Sequence, residues 1–298
     1  MIWWMYIVAT ALAEEPVSKD SVENAIEHLV EEPVDWSLIP VDVLDIWQES
    51  KDEEIGLRMK AVTQPLLGKP YLLNGIGELQ EPDPDPIVRY DAFDCLTFVE
   101  EALSLALAET PEEIDHIRKE LRYGDGSIVY ENRNHFMVSQ WIPNAIEKGY
   151  LTDITHTLGE THVVSKSITR RTWERWRGRR YFFLNTEQFP VGTYRLGVLS
   201  LDAAFEAISN IPEGALVVVV RQNNPYNPVW ITHLGFVVRH SDKDVRIRHA
   251  TKMSGGVVKE HYLKWYFEHI RIYLAPMEGV LVLMPQEMDR TSSSKPLP

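Results

Sequence analysis

The apolar positions of this chain follow two different periods. Toward the N-terminal side the spacing is helical. In "SKDSVENAIEHLVEE" Ser18 is placed to cap, and Val22, Ala25, Ile26 and Leu29 share one face. "VDVLDIWQESKDEEIGLRMKAVTQPLL" predicts further helix, ending before Pro65. Next, "GKPYLLNGIGELQEPDPDPIVRYDAFD" contains Pro82, Pro84 and Pro86 among glycines, which predicts irregular chain. The clearest helix runs from Cys95 to Glu109, where Leu96, Val99, Leu103, Ala106 and Leu107 repeat at helical spacing, Asp94 precedes as a cap and Pro111 follows. "NRNHFMVSQWIPNAIEKGYL" predicts a short strand or loop and then a turn of helix.

The last third changes period. "GALVVVVRQ" is a continuous apolar run between turn residues, as in a buried strand. "VWITHLGFVVRH" predicts a second strand, "SDKD" a turn and "VRIRHATK" a third strand. "VVKEHYLKWYFEHI" suits a helix and "RIYLAPM" a last strand, followed by a polar tail, "MDRTSSSKPLP". There is no internal repeat, no low-complexity tract and no Gly-rich phosphate loop.

One apolar run belongs to neither pattern. Ile2 to Val8, followed by Ala11-Leu12-Ala13 ahead of Glu14, has the form of a secretory signal with an A-x-A cleavage site, although no Lys or Arg precedes it. The competing interpretation is a buried N-terminal strand or helix. No later run reaches the length of a membrane span, so the expected mature protein is exported, soluble and without a stable membrane span.

Size and charge narrow the function classes. The 298 residues, 44% hydrophobic and 25% charged, support a sizeable core rather than disorder. A formal net charge of -14 disfavours nucleic acid as a general partner, because phosphates require a cationic surface. The local exception lies at 166–180, where Lys166, Arg170, Arg171, Arg175, Arg177, Arg179 and Arg180 surround Trp173 and Trp176. Such a strip is either a solvated face with its Trp rings in the core or a contact surface for an anionic ligand.

Export makes the single cysteine informative. Exported proteins commonly pair their cysteines, and Cys95 has no partner. It stands where a helix begins, where unpaired backbone N–H groups and the helix dipole favour an anion, so its thiol pKa is expected to fall. The alternative is an inert buried thiol. A nucleophilic cysteine also needs a base and a group that orients it. Among 10 histidines, His233 in "ITHLGF" and His249 in "RIRHAT" lie on strands joined by a tight turn, which can bring both to one face. Gly235, two positions after His233, is the kind of strand glycine that marks close approach by another backbone or a ligand. The His spacings contain no H-x-x-x-H pattern, so neither metal nor cofactor is assigned.

These pieces together resemble a known family. "DC" at a helix start, "HLGFVV", and a strand ending "HA" resemble the NlpC superfamily of papain-like cysteine peptidases. "PYLLNGIGE", "DPDPIVRYDAFDCLTFVEEALSLA", "YENRNHF" with "WI" after it, and "HATKMSGGVV" before "YL" resemble, within it, the N-acetylmuramoyl-L-alanine amidase-like family. The resemblance implies an α+β fold with a papain-like NlpC-type core, in which the Cys-bearing helix packs on an antiparallel sheet. It implies Cys95 as nucleophile, His233 as general base and acid, and His249 as the group that orients His233. Tyr71, Glu78, Asp94 and His135 join as candidate substrate-binding residues, with helix capping the alternative for Asp94 and a structural role the alternative for His135. The implied substrate is peptidoglycan, as muropeptides, cut between N-acetylmuramic acid and L-alanine. The alternatives are a murein endopeptidase cutting after D-glutamate and a non-catalytic envelope glycan-binding protein. Two positions depart from the pattern: Gly214-Ala215, where Gly-Asp is common, and Gln140, where an acidic residue is common. The expected organisation is a signal at 1–13, a helical region at 14–70, the amidase domain at 71–276 and a tail at 277–298. The location implied is the periplasm or exterior of a bacterium.

Overall fold

After Pro40 the acidic stretch forms two helices rather than one, because "ESKDEE" between them offers no apolar side chain to bury. Helix α1 spans Val41–Glu49 and α2 spans Ile55–Val62. This is a computed structural model in which residues 38–124, 126–273 and 276–287 are described. The signal at 1–13 and the helix expected from Ser18 lie outside those residues. Val43 and Trp47 of α1, with Met59 and Val62 of α2, enter the same core as the residues after 71. The described part of the 14–70 region is therefore built into the main body of the fold.

Helix α3, Cys95–Leu107, has its first residue set by a reciprocal cap. Asp94 Oδ1 accepts from the N–H groups of Leu96 (3.0 Å) and Thr97 (2.9 Å), while the Thr97 hydroxyl accepts from the Asp94 N–H (2.9 Å). From Thr97 onward the whole helix is buried. That includes Glu100 and Glu101, which face Arg122 (3.0 Å) and Arg118 (2.6 Å) of α4, Pro111–Arg122. The residues of α4 carry no predicted element, since Pro111 reads only as the end of the preceding helix. Proline at the first helical position has no N–H to lose and a preset φ, so it starts α4 as readily as it ends α3. A π-helical turn at Met137–Trp141 leads into α5, Ile142–Glu147, and aims the Trp141 ring N–H at Glu100 (3.0 Å).

The remainder builds one antiparallel sheet. Its strands are β1 (Leu151–Asp153), β2 (Thr161–Ile168), β3 (Gly192–Leu199), β4 (Leu216–Arg221), β5 (Ile231–Ser241), β6 (Asp244–Thr251), β7 (Val257–Tyr262) and β8 (Met277–Pro285). Helix α6 (Arg170–Arg175) follows β2, α7 (Leu201–Glu206) follows β3, and α8 (Leu263–Tyr273) follows β7. The order is β2-β3-β8-β4-β5-β6-β7, with β1 also paired to β8. Alternate residues of β4 serve opposite layers. Leu216, Val218 and Val220 face the core that contains α1–α4, and Val217 and Val219 face the core that contains α8. The fold is thus α+β, with the Cys-bearing helix on one sheet face. No helix of the described residues is long and apolar enough to cross a membrane.

Three expectations for the C-terminal part are corrected. "VVKEHYLKWYFEHI" is not one helix. Its first half is β7, paired with β6 from Arg246↔Tyr262 to Thr251↔Val257; the ladder satisfies the backbone, and β-branched valines suit it. "RIYLAPM" is not a strand at its start, because Leu263, Tyr266, Phe267 and Ile270 make a buried helical face that carries α8 to Tyr273. The supposed tail from 277 begins with β8, which lies between β3 and β4 with Val280–Leu283 buried. Its continuous apolar run is the mark of a two-sided buried strand.

Arg248 ties the sheet to the helices. Completely buried on β6, it donates to the Lys60 carbonyl (2.6 Å), the Thr63 hydroxyl (2.7 Å), Gln64 Oε1 (2.9 Å) and Glu260 Oε1 (2.6 Å). Replacing it with Met leaves Glu260 and the end of α2 without these partners. Urea unfolding of Arg248→Met is expected to show a loss of roughly 3–5 kcal/mol; a change below about 0.5 kcal/mol, the size of an ordinary surface substitution, would contradict this role.

Candidate functional site

Capping by Asp94 leaves Cys95 as the first residue of α3. Its side chain lies beside three backbone N–H groups, those of Leu234, Cys95 and Leu96, all of which favour the thiolate. Burial opposes them more strongly, the Asp94 carboxylate adds to it, and together they push the thiol up to about 12. The expected fall in thiol pKa is therefore reversed, because position at a helix start matters less here than desolvation. Leu234 directly follows His233 on β5, so the sulfur is held at the backbone of the residue after the candidate base. No hydrogen bond joins the Cys95 sulfur to the His233 ring in this structure.

The two strand histidines do meet. His233 Nε2 lies 2.7 Å from His249 Nδ1. Register explains how. Phe236 is opposite Arg248 across β5 and β6, so His233 and His249 are diagonal neighbours on one face. A bulge in the β4–β5 pairing beside Val219, opposite His233, ends the regular ladder there. Between them lies Gly235, where an added Cβ would come 2.7 Å from the Arg248 carbonyl oxygen and 2.7 Å from the His249 Cβ. The close approach expected at this glycine is that of β6.

A third histidine, absent from the candidates, continues the chain. His249 Nε2 lies 2.8 Å from His261 Nδ1 of β7. Residue 261 had been placed in a helix, which concealed its strand register with His249. Tyr266 of α8 packs against both His233 and His249, with ring centroids 6.0 and 5.2 Å away. Its hydroxyl is buried without a hydrogen-bond partner among the described residues. Burial lowers all three histidines, His233 to about 4, so the chain of rings is neutral near pH 7. Among the described residues no cluster of three or more His, Cys, Asp or Glu is arranged to hold a metal.

The remaining candidates divide. Tyr71 and Asp94 lie near the sulfur: burial raises the Tyr71 pKa and a Cys95 thiolate raises it further. Asp94 is fully used as a cap, with Oδ2 also accepting from the Asn74 N–H at 3.2 Å. His135 and Asp94 line a cavity of about 170 Å³ with Arg133, Tyr181 and Phe183. His135 donates from Nε2 to the Tyr130 carbonyl (2.7 Å), and burial lowers its pKa to about 4. Glu78 is buried behind this cavity, accepting from Arg133 (2.7 Å) and Tyr123 (3.0 Å). Arg133, Tyr181 and Phe183 had no distinguishing spacing in the sequence.

The cationic strip divides in the same way. Trp173 is buried and Trp176 packs against Phe136 and Phe182, so the Trp rings serve the core. Lys166 is buried in β2, donating to Asn223 Oδ1 (2.9 Å) and the Asn224 carbonyl (3.0 Å). The six arginines are exposed. Gln140 holds its own turn, its Oε1 accepting from the Phe136 N–H at 3.0 Å.

Comparison with known proteins gives the relationship. A family model described as N-acetylmuramoyl-L-alanine amidase-like matches residues 61–272. A Legionella pneumophila protein of family DUF1460 superposes with a TM-score of 0.71 at 22% identity, over 82% of this chain and 93% of that one. An N-acetylmuramoyl-L-alanine amidase from Bacteroides uniformis gives 0.62 at 18% identity, over 78% of this chain and 99% of that one. A putative xylanase from Bacteroides fragilis gives 0.59 at 21% identity, over 78% and 99%. At these identities the structural likenesses concern the fold alone. No curated protein matches.

The buried histidines give stability a pH dependence. At pH 5 His233 and His135, both near 4 in the fold, are neutral, whereas an unfolded imidazole near 6.5 is mostly protonated. The unfolded chain binds more protons, so stability falls as pH drops from about 6.5 toward 4. Urea midpoints at pH 7.0, 5.5 and 4.5 are expected to fall more steeply for the wild type than for His135→Gln. Equal slopes would contradict the assignment to His135.

Proposed function

We propose that this chain, which belongs to the N-acetylmuramoyl-L-alanine amidase-like family, hydrolyses the amide between N-acetylmuramic acid and L-alanine through a thioester on Cys95. The observation that carries the proposal is the helix-capped thiol held at the Leu234 N–H, one residue along β5 from the His233 that bonds His249. His249 occupies Nε2 of His233, which leaves Nδ1 as the nitrogen for the thiol proton. The arrangement is the one a papain-like core of the NlpC superfamily would use.

A neutral thiol beside a neutral imidazole suits general-base attack, in which the proton leaves as the carbon–sulfur bond forms. The Cys95 sulfur attacks the lactyl carbonyl, and His233 Nδ1 takes the thiol proton. The Cys95 N–H, at the first position of α3, and the Tyr71 hydroxyl hold the oxyanion. The tetrahedral adduct collapses, His233 returns the proton to the L-alanine nitrogen, and the peptide leaves with a free amine. Water, deprotonated by His233, then cleaves the thioester, releases the muramic acid and restores the thiol. His249 accepts from Nε2 throughout and stabilises the imidazolium. The cavity beside Asp94 offers Arg133, His135, Tyr181 and Phe183 to a muropeptide. Glu78 acts there through Arg133. Cleavage after Ala13 would deliver the enzyme to the periplasm or outside a bacterium.

Mass spectrometry of muropeptides incubated with the protein tests the bond assigned. The expected products are a peptide beginning with L-alanine and a sugar bearing a free lactyl carboxylate. Cleavage after D-glutamate would replace the amidase with an endopeptidase using the same residues, and intact muropeptides would favour a glycan-binding protein. Within the proposal, Tyr71→Phe removes one oxyanion donor and is expected to lower kcat about 100-fold with little change in KM. An unchanged kcat would remove Tyr71 from that role.

A further inference from the structure

The histidine that no sequence pattern singled out closes the chain of rings. His233 Nε2 meets His249 Nδ1 at 2.7 Å, and His249 Nε2 meets His261 Nδ1 at 2.8 Å. Each neutral imidazole carries one proton, and each hydrogen bond needs one N–H and one bare nitrogen. Only two proton arrangements satisfy both bonds. In the first, all three rings are protonated on Nε2, His261 accepts on Nδ1, and His233 Nδ1 is bare. In the second, all three are protonated on Nδ1, and His233 has no lone pair for a thiol. Adding a proton to His233 Nδ1 preserves both bonds only in the first arrangement.

Resting on the amidase mechanism above, we propose that His261 is a positioning residue that sets the tautomer of His233 through His249. The surroundings fit that role. The His261 ring is stacked on Trp265 (centroids 4.7 Å apart, 28° between planes), and Trp265 is stacked on His269 (4.9 Å, 28°). Its plane is therefore held from α8 while β7 fixes its backbone opposite Ile247. Burial and the positive charge of Lys259 disfavour a second proton on His261, and a neutral imidazole intrinsically favours its proton on Nε2, which leaves Nδ1 bare to accept. A ring present only to fill space would need neither hydrogen bond nor a particular nitrogen toward His249.

Two substitutions separate the roles. Asn keeps an acceptor near the position of Nδ1, and Leu has none. Long-range ¹H–¹⁵N spectra of ¹⁵N-histidine protein read the tautomers directly, without requiring turnover. The wild type and His261→Asn are expected to show His233 protonated on Nε2, and His261→Leu a mixture that includes Nδ1–H. On muropeptides His261→Leu is expected to lose roughly tenfold in kcat at unchanged KM, as for other groups that fix a functional imidazole from behind. His261→Asn should recover most of that loss. An unaltered His233 tautomer in His261→Leu overturns the proposal, whatever happens to the rate. A tautomer change in a protein that cuts no muropeptide would instead support the relay and remove the amidase reading.

Discussion

Strand β6 passes so close to β5 that residue 235 has no room for a side chain, and much of the structure follows from that contact. A Cβ on Gly235 would lie 2.7 Å from the Arg248 carbonyl oxygen, well inside normal contact. Along β6, as along any strand, alternating side chains act on both sheet faces. His249 turns to one side and bonds His233. Arg248 turns to the other and holds the end of α2, which packs with α3 and therefore with Cys95. One backbone approach thus sets the imidazole pair and helps to seat the helix that carries the thiol.

The protein gathers buried ion pairs along α3 and α4, where Arg118, Arg122, Glu100 and Glu101 form one cluster. Such a cluster stabilises only when complete, and here each carboxylate has both an Arg and an aromatic donor, Trp141 or Tyr90. At the N-terminal end of α3 the balance is different. The thiol and histidines are desolvated and neutral, and the histidines are hydrogen-bonded to one another. Fixed N–H groups at Leu234 and Cys95 lie at the sulfur, and in the proposed reaction they would meet developing negative charge without rearrangement.

How much of this was legible in the sequence depended on the kind of signal. The start of α3 could be read because Asp94 and the apolar repeat agree locally. His233, His249 and the hairpin joining them were legible because two strands and a short turn nearly fix which residues become neighbours. Helix α4 was not legible, since a proline that ends one helix also begins the next. Strand β8 looked like a tail because its partners, β3 and β4, are far away in the chain. His261 was concealed by the same kind of error: a stretch with helix-like composition becomes a strand when β6 offers it a full ladder. The thiol pKa was misjudged because helix position is written in the sequence and burial is not.

In the proposed mechanism Cys95 is the group that carries the acyl half of the substrate. The most direct measurement is the rate of L-alanine amine release from a muropeptide by Cys95→Ala, compared with wild type at equal folded concentration. The mechanism expects the rate to fall by on the order of 10⁴ or more, as when other catalytic nucleophiles are removed, with the unfolding midpoint little changed. A folded Cys95→Ala protein that releases the peptide at a near wild-type rate would contradict it.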